Sequence, residues 1–135
     1  MSNRKTIFTQ LSKNASLCRL CPAMAALPAI LSSKNGSIDT DLIFVAEAPG
    51  RFGASRTGIP FHGDRSGDNF ELLLNHAGLK RKDIFVTNAV LCNPLKNGNN
   101  RRPTAKEIDN CSSFLEILIK LITPKIISTL GSVEL

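Results

Sequence analysis

Three short apolar runs separated by helix-patterned segments constrain this chain more than any other feature. Leu42-Ile43-Phe44-Val45-Ala46, the stretch from Ile84 to Val90, and Lys125 to Leu130 read as strands, the first suited to burial on both faces. Residues 2–17 carry Ile7, Phe8 and Leu11 on one helical face. Phe70, Leu73, Leu74 and Ala77 recur at helical spacing, and Gly78 stands where a left-handed cap belongs. Thr104 with Glu107 three residues on is a capping box, opening a helix that turns Cys111, Phe114, Leu115, Leu118 and Ile122 inward until Pro124 stops it. Helix and strand alternate, which predicts a parallel sheet with right-handed crossovers in a three-layer α/β/α arrangement. Gly131 closes the third strand and Ser132 reads as the N-cap of a further helix. Three strands are few for a doubly wound sheet, so residues 1–135 are expected to form a single domain whose C-terminal part is missing.

Composition narrows the function classes. The 135 residues are 42% hydrophobic and 21% charged, an ordinary globular balance. No apolar run approaches the ~20 residues of a membrane helix, and the N-terminus lacks the pattern of a secretory signal, so a cytoplasmic monomer without membrane contact is expected. Lys and Arg number 17 against 11 Asp and Glu, for a net charge of +6. That excess favours a polyanionic partner, although solubility alone accounts for it as readily. The four cysteines would be reduced in the cytosol, which leaves metal binding or plain burial as their uses.

Cys18 and Cys21 make a C-x-x-C pair, Cys92 lies just past the second strand, and Cys111 falls in the first turns of the last helix. Loops at the carboxyl ends of parallel strands gather at one edge, so the four can share a corner. Four thiolates suit a [4Fe–4S] cluster or a Cys₄ zinc site, and the wide Cys92–Cys111 spacing argues mildly against zinc. Beside this, Glu47-Ala48-Pro49-Gly50 follows the first strand, where open α/β sheets place ligand sites; Gly58-Ile59-Pro60-Phe61 shares that loop, and Thr87-Asn88 ends the second strand. Taken singly these residues have plainer readings: Phe61 as core, Asn88 as a strand end, Glu47 as a solvated carboxylate. His62 is at most a minor contact and His76 complements a helix dipole. Arg51, Arg56 and Arg65 suit phosphate contacts or a solvated loop equally well.

Taken together, in this order and with the four cysteines, the motifs resemble the iron–sulfur, or family 4, uracil-DNA glycosylases. That family shows Gly-Glu-Ala-Pro-Gly after its first strand, then Gly-x-Pro-Phe, then Thr-Asn-x-x-x-Cys, with an N-terminal Cys-x-x-Cys and a helix Cys after Arg-x-Pro-Thr. The resemblance runs from about residue 16 to Leu135 and includes Arg102-Pro103-Thr104 and Pro124-Lys125-Ile126-Ile127. It implies a DNA-repair enzyme that hydrolyses the N-glycosidic bond of uracil in DNA and leaves an abasic site. It further implies Glu47 and Asn88 as catalytic residues, and Ala46, Ala48, Pro49, Gly50, Phe61 and Asn88 as substrate contacts. Cys18, Cys21, Cys92 and Cys111 would be the metal ligands. The rival is a non-catalytic nucleic-acid-binding module of the same fold with a cluster or zinc. Departures are Ala46 for the usual glycine, Arg51 where the family often has an acid, somewhat longer 61–67 and 92–111 intervals, and the lack of a His-Pro-Ser-type motif before the chain ends.

Overall fold

A computed structural model of the protein describes residues 3–131. Its sheet holds strands β1 (Leu42–Ala46), β2 (Phe85–Asn88) and a C-terminal strand, Ile126–Thr129, in the order β2, β1, C-terminal strand, with all pairings parallel. Between β2 and that last strand lies a two-stranded antiparallel hairpin, β3 (Leu95–Lys96) and β4 (Asn99–Asn100), which makes the C-terminal strand β5. The helices are α1 (Asn3–Leu17), the single turn α2 (Ala54–Thr57), α3 (Arg65–Ala77) and α4 (Ala105–Ile122).

Alternation along the strands sorts the core into two layers. Ile43 and Val45 of β1 and Phe85 of β2 face Phe8, Leu11 and Ala15 of α1 and Leu118, Leu121 and Ile122 of α4. Phe8 meets Phe85 edge-on at 5.9 Å. On the other face Ile84 and Val86 pack with Phe70 and Leu74 of α3, flanked by Leu42, Phe44 and Phe61. The parallel α/β/α architecture expected from the sequence is the one observed.

Three inward assignments are corrected. Ile7 is 48% and Leu73 65% exposed, and Ala77, at the last position of α3, is exposed as well. The buried line of α1 runs Phe8, Leu11, Ala15, and that of α3 runs Gly67, Phe70, Leu74. Ile7 and Leu73 each sit one residue, about 100°, off those lines. The Asn97-Gly98 pair turns the β3–β4 hairpin, both residues at positive φ (52° and 78°) as a primed turn requires. The irregular segment before β1 is anchored rather than loose: buried Asn35 donates through Nδ2 to the Val86 carbonyl at 2.9 Å. The Thr104–Glu107 capping box forms as expected, and Gly78 caps α3 at φ 74°. The helix expected to start at Ser132 lies outside the described residues.

Candidate active site and cysteine corner

The carboxyl ends of β1 and β2 and the hairpin enclose a cleft of about 220 Å³. Glu47, Ala48, Pro49 and Gly50 enter it from the turn after β1, Phe61 from the loop before α3, and Asn88 from the end of β2. Ala46 does not join them: it is buried within β1, in register with Asn88, and its carbonyl accepts the Ala89 N–H.

Each of these side chains is held by its own surroundings. Asn88 is 4% exposed, fixed by the β1–β2 ladder at the sheet's edge. The Glu47 side chain, 25% exposed, has Arg102 Nε 3.1 Å from its Oε1. Phe61 adopts a left-handed backbone (φ 52°), and its ring stacks on Phe70 with centroids 4.9 Å apart. Gly67 makes this approach possible, because a Cβ there would come within 2.7 Å of the Phe61 carbonyl. Arg81 completes the support: it donates to the Pro60 and Phe61 carbonyls, pairs with Glu71 at 2.7 Å and lies 4.8 Å from the Phe70 ring centroid. Phe61 thus unites both of its readings, packed against the core on one side and facing the cleft on the other.

Sequence reasoning missed the hairpin side of the cleft, lined by Asn93, Asn100 and Arg101, and the start of α3, which adds Asp64 and Ser66. Asp64 is the N-cap of α3, accepting from Gly67 N–H at 2.9 Å. Arg101 forms a bidentate pair with Glu107 at 2.7 and 2.8 Å and also donates to the Leu95 carbonyl. This pairing, with the Thr104 capping contact, holds the Glu107 carboxyl down at about 2, against the opposing effect of burial. Of the loop arginines, Arg51 is drawn into the hairpin: its N–H donates to Asn100 Oδ1 at 3.0 Å and its guanidinium lies over Phe52. Arg56 binds the Phe52 and Gly63 carbonyls, while Arg65 and His62 are exposed outside the cleft lining.

The four cysteines are free thiols, and Cys18 and Cys21 lie near enough to Cys92 and Cys111 to act on them electrostatically. Burial pushes the Cys92 thiol up to about 11, with negative charge at Cys111, Cys18 and Cys21 acting in the same direction and Arg19 against it. The Cys111 thiol is raised too, by burial first. Asn110 Nδ2 lies 3.5 Å from Cys21 Sγ, and a backbone hydrogen bond from Leu91 reaches Cys111. Among the described residues no group of three or more His, Cys, Asp or Glu side chains that could hold a metal ion is found. As a donor set the cysteines suit a thiophilic metal: four sulfurs, two with nearby N–H donors, in a corner that disfavours uncompensated thiolate charge.

The family model described as "Uracil DNA glycosylase superfamily" matches residues 33–134. The chain belongs to this superfamily. Among its relatives, a type-4 uracil-DNA glycosylase of Thermotoga maritima is 34% identical over 135 residues, covering all of this chain and 67% of that protein. A type-4 enzyme of Sulfurisphaera tokodaii is 41% identical over 91 residues, 67% of this chain and 40% of its own length. A type-5 enzyme of Pyrobaculum aerophilum is 34% identical over 109 residues, with 71% and 46% covered. The superfamily match starts within the segment anchored by Asn35 and includes every cleft residue described above. It leaves Cys18 and Cys21 outside, whereas the alignment to the Thermotoga protein includes them. No helix among the described residues is long and apolar enough to cross a membrane.

Proposed function

We propose that this chain carries the base-binding part of a DNA-repair uracil-DNA glycosylase, hydrolysing the N-glycosidic bond of deoxyuridine to leave an abasic site. The observation that carries the reading is the convergence of Glu47, Phe61 and Asn88, from three separate segments, on one cleft at the carboxyl edge of the sheet. A base inside a duplex is out of reach, so it must be turned out and held on its face and its Watson–Crick edge. Phe61, backed by Phe70, offers the face. The Asn88 amide offers one donor and one acceptor to the edge, matching a carbonyl beside an imino N–H; the altered pattern of cytosine would leave buried groups unpaired. Glu47 is the group for orienting the attacking water and taking its proton, and Arg102 steadies that carboxylate. The turn Ala48-Pro49-Gly50 walls the cleft behind it.

Cys18, Cys21, Cys92 and Cys111 are assigned as ligands of one metal centre, a [4Fe–4S] cluster or, as the alternative, zinc. What supports this is their number and their mutual electrostatic influence in one corner. Bound there, the centre would cross-link the start of the chain, the end of β2 and α4, a structural role, because glycosidic hydrolysis moves no electrons. Free thiols and an excess of basic residues are in keeping with a reducing compartment that holds DNA.

The test is turnover of a single-stranded oligonucleotide with one uracil by the full native protein, with thymine and cytosine strands as controls. Alkali-labile cleavage at uracil alone is expected. Binding of all three strands without cleavage would favour the non-catalytic module. Absorbance near 400 nm separates a cluster from zinc.

A further inference from the structure

Asn93 is 1% exposed yet lines the cleft, and its amide is committed in one direction. Its Nδ2 donates to the Pro49 carbonyl at 2.6 Å and to Asn100 Oδ1 at 3.1 Å, with the Pro94 carbonyl at 3.5 Å. Its Oδ1 is buried without a hydrogen-bond partner. A buried acceptor left unpaired is costly, and a side chain serving only to fill space would be better replaced by an apolar one of the same shape. The two Nδ2 bonds are therefore the feature that keeps an amide here. They join two parts of the cleft that the sheet does not connect: the turn carrying Glu47, through Pro49, and the hairpin, through Asn100. Asn100 Oδ1 in turn accepts the Arg51 N–H at 3.0 Å, so the turn is gripped at two backbone points, at positions 49 and 51. Arg101, next along, is locked to Glu107, which ties the hairpin end of the link to α4.

We propose that Asn93, acting with Asn100, is the positioning residue of the cleft, fixing the Glu47–Gly50 turn so that the Glu47 carboxylate meets the attacking water in register. This rests on the glycosylase reading above. Asn93 touches neither base nor sugar in this role; it acts through Pro49 and Arg51. A misplaced catalytic group lowers the rate of the bond-breaking step and leaves substrate binding nearly unchanged, because the interaction it spoils matters only in the transition state.

The experiment compares Asn93→Asp, which keeps the shape and removes the donor, with Asn100→Ala, an exposed position whose loss does not threaten the core, and with the double variant. In the full native protein each single variant should lower kcat on the uracil strand by about 10- to 100-fold with KM within about twofold. The double variant should be no worse than the worse single, since both cut one linkage. Hydrogen exchange at the Arg51 amide should accelerate in all three. Wild-type kcat in a folded Asn93→Asp or Asn100→Ala protein, or additive losses in the double variant, would overturn the proposal. If Asn93→Asp fails to fold, Asn100→Ala alone decides by the same criteria. Should the wild-type protein leave uracil strands intact, the glycosylase reading falls, and Arg51 exchange still decides the linkage: unchanged protection in Asn100→Ala removes it.

Discussion

The stretch from Cys92 to Cys111 leaves the cysteine corner, forms the hairpin wall of the cleft and returns to the corner, and its two parts meet their electrostatic needs in opposite ways. In the hairpin, charge finds partners within the chain. Glu107 takes two bonds from Arg101 and caps α4 with Thr104, and its carboxyl is held down at about 2. In the corner, Cys21 and Cys111 are buried and Cys18 and Cys92 half-buried, and burial together with the neighbouring thiols pushes Cys92 up to about 11, against the effect of Arg19. The hairpin is organised by the protein alone, as the reaction site proposed for this cleft would require. The corner's charge is not met in this way, which suits the metal centre proposed for it.

The largest expected effect breaks the corner. Cys92→Ser should abolish bound iron or zinc and leave the protein insoluble or unfolded, because a structural metal contributes on the order of 10 kcal/mol to folding. Metal analysis with far-ultraviolet circular dichroism checks this. Stoichiometric metal in every single Cys→Ser variant would remove the four cysteines as ligands of one centre.

Next in size is loss of chemistry in the cleft. Glu47→Gln should lower single-turnover kcat by about 10²–10⁴-fold, the usual range for a general base, with the fold intact. Asn88→Ala should leave affinity for DNA largely unchanged while lowering uracil turnover. Turnover at the wild-type rate in either variant would move that residue out of the reaction.

Glu107→Gln tests whether the hairpin's internal pairing carries stability. It should cost roughly 2 kcal/mol, the scale of charge-assisted hydrogen bonds lost beside a partly buried arginine. Urea midpoints read this, with an unchanged slope. The pH dependence sharpens it. The Glu107 carboxyl lies below its ordinary value of 4.5 in the folded state, so the unfolded chain takes up the proton first as pH falls. The stabilisation is complete above about pH 4.5 and drains away towards pH 2. Wild type should therefore lose stability through that window more steeply than Glu107→Gln, and parallel curves would place the pair's contribution near zero.

These contrasts also explain what the sequence made legible. β1 could be read residue for residue because five contiguous apolar positions admit little else in a chain of alternating elements. The capping box and Gly78 are local devices whose geometry is written in two or three residues. Glu47 and Asn88 could be expected at one edge because strand ends in a parallel sheet share it, whereas Phe61 was placed with them through the resemblance to the glycosylase family. The hairpin was hidden by its polarity: Asn99 and Asn100 carry no alternation, and only Asn97-Gly98 marked the turn. Leu73 and Ile7 show the limit of helical spacing, which finds apolar residues without fixing where the buried line is centred. The Asn93 linkage and the Arg81 clamp beneath Phe61 were beyond reach, since each joins segments whose pairing only the folded chain reveals.

The smallest expected effect separates the two faces of Phe61. Its ring packs on Phe70 at 4.9 Å, while its loop backbone is fixed independently by Arg81 and by the close approach of Gly67. Phe61→Leu keeps most of the apolar volume and leaves those backbone anchors in place. What it removes is the aromatic pair, worth about 0.5–1.5 kcal/mol beyond area burial, and the flat surface offered to a base. Stacking is worth about 1–3 kcal/mol per base when the ring is truncated to alanine, and leucine retains part of that contact. Turnover at subsaturating substrate should therefore fall by only about three- to tenfold, with most of the loss in KM, because a stacked base is held alike before and during bond breaking. A loss confined to kcat would mean that the ring aligns the sugar instead of holding the base. No change in KM or kcat, with lowered stability, would make Phe61 a core residue that happens to border the cleft.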